Sequence, residues 1–381
     1  METENLYDGR EQTLAKHYIL RRYLLRLALI VGKWRRTINY VDCFSGPWNV
    51  RGEEYEDSSF AIAVHELLSA KKKLAESSSP PNIRCFFLEE NVEAFAKLHE
   101  YSKTVQGVAV EARNNRLEDA IEDIIRFCAQ GQKAFSFVFI DPTGWKGFPL
   151  KTIRPLLQLS PGEVLINFMT SHARRFITLD QEKENFDALY GDPEWRTELS
   201  PLSGDERDDA MVRLYAQRIR AAGGFQFVNY TPIFHRAEDR THFHLIYVSR
   251  HQKGVEVFKD VERGAVEVME KMRAQVKHKK LISGGQALLF GAEEMHDSSY
   301  YSRLRTYYLT RAKNELCLLL QRCQPLEYDQ SWELAVSYPL VWEMDLREWI
   351  TRWRQEGRVE VCMPPGTKVL KRGTGALLRW K

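Results

Sequence analysis

The run "FSFVFIDPTGW", Phe135 to Trp145, constrains this chain more than any other stretch. It is apolar at almost every position, where a half-buried strand would alternate. A strand that is apolar on both faces belongs at the centre of a parallel sheet, covered by helices on each side. It stops at Asp141, and a Pro-Thr-Gly turn follows. Four other runs are built alike: "TINYVDCF" at 37–44, "IRCFFLEEN" at 83–91, "GVAVEA" at 107–112 and "GEVLINFM" at 162–169. Helical patterns separate them, at Ser58 to Ala75, Val92 to Lys103, Arg116 to Ala129 and "PLKTIRPLLQL" at 149–159. A first helix, Glu11 to Val31, precedes them all, with Leu14, Tyr18, Tyr23, Leu24, Leu27 and Ile30 broadly on one side. A charged, mostly helical stretch runs from His172 to Ala222. Two more strands follow, "FQFVNYTPIF" and "THFHLIYVSR", joined by the six residues "HRAEDR". That joint is too short for a crossover helix, so the pair is antiparallel. A helix near Gly254 to Met272 comes next. The expected fold is a doubly wound α/β sheet with an antiparallel edge pair.

With 381 residues the chain has room for that domain and a smaller one. The boundaries read as an α/β domain over 1–276, a linker over 277–298 and a helical, basic module over 299–381. A content of 44% hydrophobic and 12% aromatic residues excludes a disordered chain. The net charge of +3 excludes a molecule that binds polyanions with its whole surface. Six cysteines stand apart, with no CxxC pair, which argues against structural zinc and suits a reducing compartment. The start, "METENLYDGREQT", is too polar for a signal peptide, and "YILRRYLLRLALIV" carries three arginines. A cytoplasmic protein without a membrane span is expected.

In a doubly wound sheet, ligands gather outside the carboxyl ends of the strands, near the switch in strand order. The first run ends in Asp42 and the turn Ser45-Gly46, the second in Glu89. The third is followed by Asn114 and Asn115, and the fourth ends in Asp141-Pro142. An acidic residue at the second strand end can hold both hydroxyls of a ribose. A small turn after the first strand lets the backbone approach a ligand. Each residue also has a plainer reading: Asp42 holding loop amides, Glu89 pairing with a lysine.

These stretches resemble class I S-adenosylmethionine-dependent methyltransferases. More narrowly, "KHYIL" at 16–20, "NYVDCFSGPW" at 39–48, "FFLEEN" at 86–91, "FVFIDPTGWKGFPLKTI" at 137–153 and "EVLINFM" at 163–169 resemble the three-Cys-motif partner proteins, the TcmP family. The resemblance implies a Rossmann-like sheet and S-adenosylmethionine held by Asp42, Ser45, Gly46, Glu89, Asn114 and Asn115. It also implies association with a three-Cys-motif protein. Where related turns read Gly-Pro-Gly, this one ends in Trp48. The "DPTGWKG" stretch is similar to the Asp-Pro-Pro-aromatic motif of adenine and cytosine amino-methyltransferases. It keeps Asp141 and Pro142, has Thr143 for the second proline, and brings its aromatic, Trp145, one position late. Asp141, Pro142 and Trp145 are thus the expected catalytic set, with Asp141 accepting from an amine and Trp145 stacking on the base. The plainer reading is a tight turn with Trp145 over the core. Lys146, Arg174 and Arg175 can meet phosphates, and Asn167 can orient a substrate. His242 and His244 share a strand face, but further ligands are not in view, so no metal is expected. Cys43 reads as core packing.

From Val341 to Lys381 there are nine Lys/Arg and five Asp/Glu, a net +4. "DLREWITRWRQEG" places Leu346, Trp349, Ile350 and Trp353 on one helix face, with Gly357 as its cap. "RVEVCM", "PPGTK" and "ALLRWK" read as strand, turn and strand. Together they look like a winged helix, with Lys368, Lys371 and Arg372 toward backbone phosphates. A protein-interaction domain or a solvated basic tail are the alternatives. The expected function is methylation of a DNA or RNA base, on an exocyclic amine. The alternative is a non-catalytic nucleic-acid- or partner-binding subunit with a vestigial cleft. A nuclease is a weaker third reading, since no clustered metal-binding acids stand out.

Overall fold

The computed structural model describes residues 6–47, 50–77, 79–283, 297–367 and 369–381. Two compact units divide the chain, residues 1–295 and 296–381.

In the first unit, helix α1 (Glu11–Val31) is followed by β1 (Thr37–Asp42), α2 (Ser59–Ala75), β2 (Asn82–Glu89), α3 (Val92–Thr104), β3 (Ala109–Asn114), α4 (Leu117–Ala129), β4 (Ala134–Ile140), α5 (Leu150–Leu157) and β5 (Gly162–Phe168). The helical stretch after β5 resolves into α6 (Thr170–Phe176), α7 (Lys183–Tyr190), α8 (Trp195–Leu199) and α9 (Gly204–Gly223). Strands β6 (Phe227–Phe234) and β7 (Thr241–Ser249) and the long helix α10 (Gln252–Ser283) complete it. The sheet order is β3-β2-β1-β4-β5-β7-β6. Strands β1 to β5 pair in parallel, and β7 runs antiparallel to both β5 and β6. This is the doubly wound α/β sheet with an antiparallel edge pair that the sequence pattern leads one to expect. The apolar run is β4, the middle strand, buried from Phe135 to Ile140. Pro232 is accommodated because β6 lies at the sheet edge, where a missing N–H breaks no ladder.

Helix α10 differs from expectation. It continues to Ser283, through the first residues of the stretch read as a linker, while residues 284–296 lie outside the described ones. Its close approach to α1 depends on Gly264, where a Cβ would come 2.4 Å from the Tyr18 hydroxyl oxygen. Helix α1 also packs on α2. It is therefore wedged between two long helices, and the position of its inner side chains is fixed.

The second unit runs α11 (Ser299–Arg322), β8 (Leu326–Glu327), α12 (Tyr328–Ser337), α13 (Glu343–Gln355), β9 (Val359–Cys362) and β10 (Leu377–Trp380), with a three-stranded sheet in the order β8-β10-β9. Leu346, Trp349, Ile350 and Trp353 are buried, as their spacing requires. Gly357 takes φ +73°, and the Arg358 N–H donates to the Trp353 carbonyl, closing α13 in a left-handed cap. Helix α12 and strand β8 are not anticipated by the sequence pattern. Among the described residues, no helix is long and apolar enough to cross a membrane.

Candidate functional site

A cavity of about 380 Å³ opens at the carboxyl ends of the parallel strands. Strands β1 and β4 pair there, at the point where the strand order reverses. Its walls divide into two regions.

One region is built from the first three strand ends. Gly46 and Phe44 come from the loop after β1, and Glu89 from the end of β2. Asn115, Leu117 and Glu118 come from the start of α4. Glu89 is 4% exposed, and its Oε1 accepts the Asn91 backbone N–H at 2.7 Å. That bond turns the carboxylate toward the chain leaving β2. The Asn115 N–H donates to the Glu89 carbonyl at 3.2 Å, tying the third strand end to the second.

Several expected ligands stand behind this wall instead. Asp42 is fully buried. It accepts the Phe44 N–H at 3.2 Å, the Ser59 hydroxyl at 2.6 Å and the Tyr40 hydroxyl at 3.3 Å. Its carboxyl is pushed up to about 6, chiefly by burial, against the lowering pull of the Ser59 and Phe44 hydrogen bonds. Asp42 thus shapes the loop and does not line the cavity, which is the plainer of the two sequence readings. Ser45 is likewise fully buried, donating its hydroxyl to the Asp42 carbonyl and its N–H to the Leu88 carbonyl. Asn114 spends its amide on the carbonyls of Glu89 and Glu90. These three are corrected from direct contacts to loop supports: Asp42 is taken up by the Ser59 and Tyr40 hydroxyls and the Phe44 N–H, Ser45 by two backbone carbonyls, and the Asn114 amide N–H groups by two more. Trp48 lies outside the described residues.

The other region is the floor. Asp141 directly follows β4, and its carboxylate is engaged twice. Lys16 Nζ donates to Oδ2 at 2.5 Å, and Asn167 Nδ2 donates to Oδ1 at 2.7 Å. The Lys16 and Asp141 side chains are 13% and 12% exposed. Asn167 Oδ1 is buried and has no hydrogen-bond partner among the described residues. Pro142, Thr143, Met169 and His242 complete this region. His242 is driven down to about 4, first by burial and then by the neighbouring His235 and Arg240, so its ring is neutral. His244 is turned away from it into the core, on Thr170 Oγ1 at 2.6 Å. Among the described residues, no group of three His, Cys, Asp or Glu is placed to hold a metal ion. Burial pushes the Cys43 thiol up, which disfavours a thiolate nucleophile.

Trp145 requires the largest correction. Expected at the mouth to stack on a base, it is 5% exposed and stacks on Phe186, with centroids 4.1 Å apart and planes 10° apart. Its apolar rings are worth more buried against α7 than exposed at the mouth. The expected phosphate contacts are mostly committed too. Lys146 lines the cavity but pairs with Glu182 at 2.7 Å, and Arg174 pairs with Asp208 at 3.0 Å. Arg175 is exposed. In the second unit Arg372 lies over the Trp332 ring at 4.0 Å and near Glu343 at 3.7 Å, while Lys371 is exposed. Lys368 lies outside the described residues.

Sequence reasoning passed over Lys16, Arg10 and His242 as wall residues. Lys16 had a visible signal: a cation in "KHYIL", on a helix whose neighbours Ala15, His17, Ile19 and Leu20 are buried. Arg10 is held by Asp57 at the same rim.

No family model matches the chain, and no curated protein matches it. Among solved structures it is similar to a protein from Legionella pneumophila, at 11% identity over 61% of this chain and 84% of that one, with a TM-score of 0.36. It is also similar to an O-methyltransferase family protein from Burkholderia thailandensis, at 14% identity over 64% and 58%, with a TM-score of 0.29. A third is a loganic acid methyltransferase with SAH, at 8% identity over 72% and 90%, with a TM-score of 0.32.

Proposed function

We propose that the chain is an S-adenosylmethionine-dependent methyltransferase whose acceptor is an amine on a nucleic-acid base. The observation that carries this reading is that Glu89 and Asp141, at the ends of two strands flanking β1, open into one cavity with Gly46 between them. A volume of about 380 Å³ suits a nucleoside-sized ligand. Glu89 is placed to accept from ribose hydroxyls. Gly46 brings backbone close, and Leu117 offers an apolar surface to an adenine ring. The cofactor, when bound, supplies an electrophilic methyl group on a sulfonium and leaves as a neutral thioether. Asp141 then accepts a hydrogen bond from the acceptor amine and takes up its surplus proton. An acceptor that strengthens its bond as positive charge grows on nitrogen favours the transition state over the ground state. Lys16 and Asn167 hold the Asp141 carboxylate in one orientation.

The nucleic-acid part of the proposal rests on the second unit. Its order, helix–strand–helix–helix–strand–strand, with the last two strands paired, supports reading it as a winged helix. Exposed Arg352, Arg354, Lys371 and Arg379 supply positive charge. A three-Cys-motif protein as partner belongs to the same proposal and rests on the sequence resemblance alone.

Calorimetric titration with S-adenosylmethionine and with its demethylated product tests the reading. Micromolar binding is expected, and Glu89→Ala is expected to weaken it by about 2 kcal/mol, the worth of a charge-assisted contact. A wild-type protein that binds neither compound at millimolar concentration returns the chain to the alternative of a non-catalytic binding subunit.

A further inference from the structure

Lys16 stands on the cavity floor beside Asp141, the residue expected to meet the acceptor. An ammonium group carries three N–H donors and no acceptor. One donor goes to Asp141 Oδ2, and Lys16 has no other partner among the described residues. Asp141 in turn receives one bond on each oxygen, from Lys16 and Asn167, where a carboxylate offers about four lone-pair sites. A donor and an acceptor are therefore held side by side, both lining the cavity with capacity to spare. Their roles cannot be exchanged, since lysine only donates and a carboxylate only accepts. Their spacing is fixed as well, because α1 is packed between α2 and α10 and Asp141 directly follows the central strand.

A ligand that satisfies both groups presents an N–H next to an acceptor atom. Resting on the methyltransferase reading, we infer that Lys16 and Asp141 together recognise an amidine-type edge, an exocyclic amine beside a ring nitrogen. Adenine carries this edge at N6 and N1, and cytosine at N4 and N3. Asp141 takes the amine N–H, and Lys16 donates to the ring nitrogen. The amine nitrogen is thereby left facing the cofactor region of the cavity. Lys16 is then the specificity-determining residue: it rejects an aromatic amine that lacks the neighbouring nitrogen, because one ammonium N–H would be covered by the ligand without an acceptor while another stays on Asp141. The neutral His242 ring on the same wall offers no charge to replace it.

The test compares oligonucleotides that differ by one atom: adenine against 1-deazaadenine, and cytosine against 3-deazacytosine. Each pair is made as single-stranded DNA and as RNA, with labelled methyl transfer as the readout in the full-length protein. The wild type is expected to favour one natural base over its deaza analogue by about tenfold or more. Lys16→Met is expected to lower transfer and bring that ratio to about one, while Lys16→Gln, which keeps an N–H donor, retains part of it. Cofactor affinity by calorimetry should be the same in all three. A wild type that methylates a base but does not discriminate the analogues overturns the inference alone, and one that binds S-adenosylmethionine yet methylates neither base overturns the inference together with the nucleic-acid acceptor. A Lys16→Met variant with an unaltered ratio also overturns the inference alone. A wild type that does not bind S-adenosylmethionine overturns the methyltransferase reading beneath it. The analogue comparison on the wild type needs no variant, so a misfolded mutant does not shield the inference.

Discussion

Lys16 Nζ and Asp141 Oδ2 meet at 2.5 Å across 125 residues of sequence, joining the first helix to the end of the middle strand. The pair ties the Asp141 carboxylate to the position of α1. Asp141→Asn keeps the size of the side chain and a bond to Asn167 but removes the carboxylate. Methyl transfer is expected to fall by about a hundredfold or more, as when a preorganised electrostatic group is removed. Cofactor affinity should stay within about threefold, because Glu89 and Gly46 are untouched. Single-turnover transfer and calorimetry on the same preparation check both halves. Full activity in Asp141→Asn would place the reaction centre elsewhere on the floor.

Asp42 gives the fold a pH dependence of stated sign. Its folded value is raised to about 6 from an ordinary 3.8 by burial. Between those two values the unfolded chain gives up the proton first, so stability falls as pH rises from about 4 to about 6. A shift of roughly 2 pK units corresponds to about 3 kcal/mol. Asp208 is raised to about 6 as well, mainly by burial, and adds a slope of the same sign. Urea midpoints measured at pH 4.5 and pH 7 should therefore differ less in Asp42→Asn than in the wild type. Parallel curves for the two proteins would show that Asp42 titrates normally in the folded state.

Trp145 is expected to act through stability and not through substrate contact. Its ring is packed on Phe186 and shielded by Phe176. Trp145→Ala should cost about 3 to 5 kcal/mol of folding free energy, the usual toll of emptying a large aromatic site. Denaturant unfolding measures it. Near-wild-type stability with a raised KM would restore the stacking role.

The sheet was largely legible because strands buried on both faces write themselves as apolar runs, and Phe135 to Ile140 is the plainest of them. The placement of Glu89 and Asp141 at the carboxyl ends of strands was legible because position at a strand end is a property of sequence order. What could not be read is which way a polar group turns. Asp42 and Ser45 sit one turn from the cavity, yet their atoms are consumed by Phe44, Ser59 and Leu88, partners brought by tertiary folding. The Lys16–Asp141 contact joins segments with no local relation and leaves no periodic trace. Helix α12, "YDQSWELAVS", escaped because ten residues with a polar start carry little period. Its start is fixed by the Gln330 side chain accepting the Glu327 N–H, a cap too short-range to stand out in the sequence.

The second unit carries the remaining prediction, and its geometry selects the residues to change. Arg372 is a poor choice, since its guanidinium covers Trp332 and lies near Glu343, so that its loss disturbs packing as well as charge. Lys371 and Arg379 are exposed, the first in the loop between β9 and β10 and the second on β10 itself. Charge reversal at both, Lys371→Glu with Arg379→Glu, should leave the melting temperature near wild type while weakening DNA or RNA binding. Each phosphate contact releases a counterion, so the slope of log K against log salt should become shallower by about 0.9 per contact on duplex DNA and about 0.7 on a single strand. Fluorescence anisotropy across a salt series reads the slope directly. An unchanged slope and affinity in the double variant would exclude this face from nucleic-acid binding and favour a protein-interaction role for the second unit.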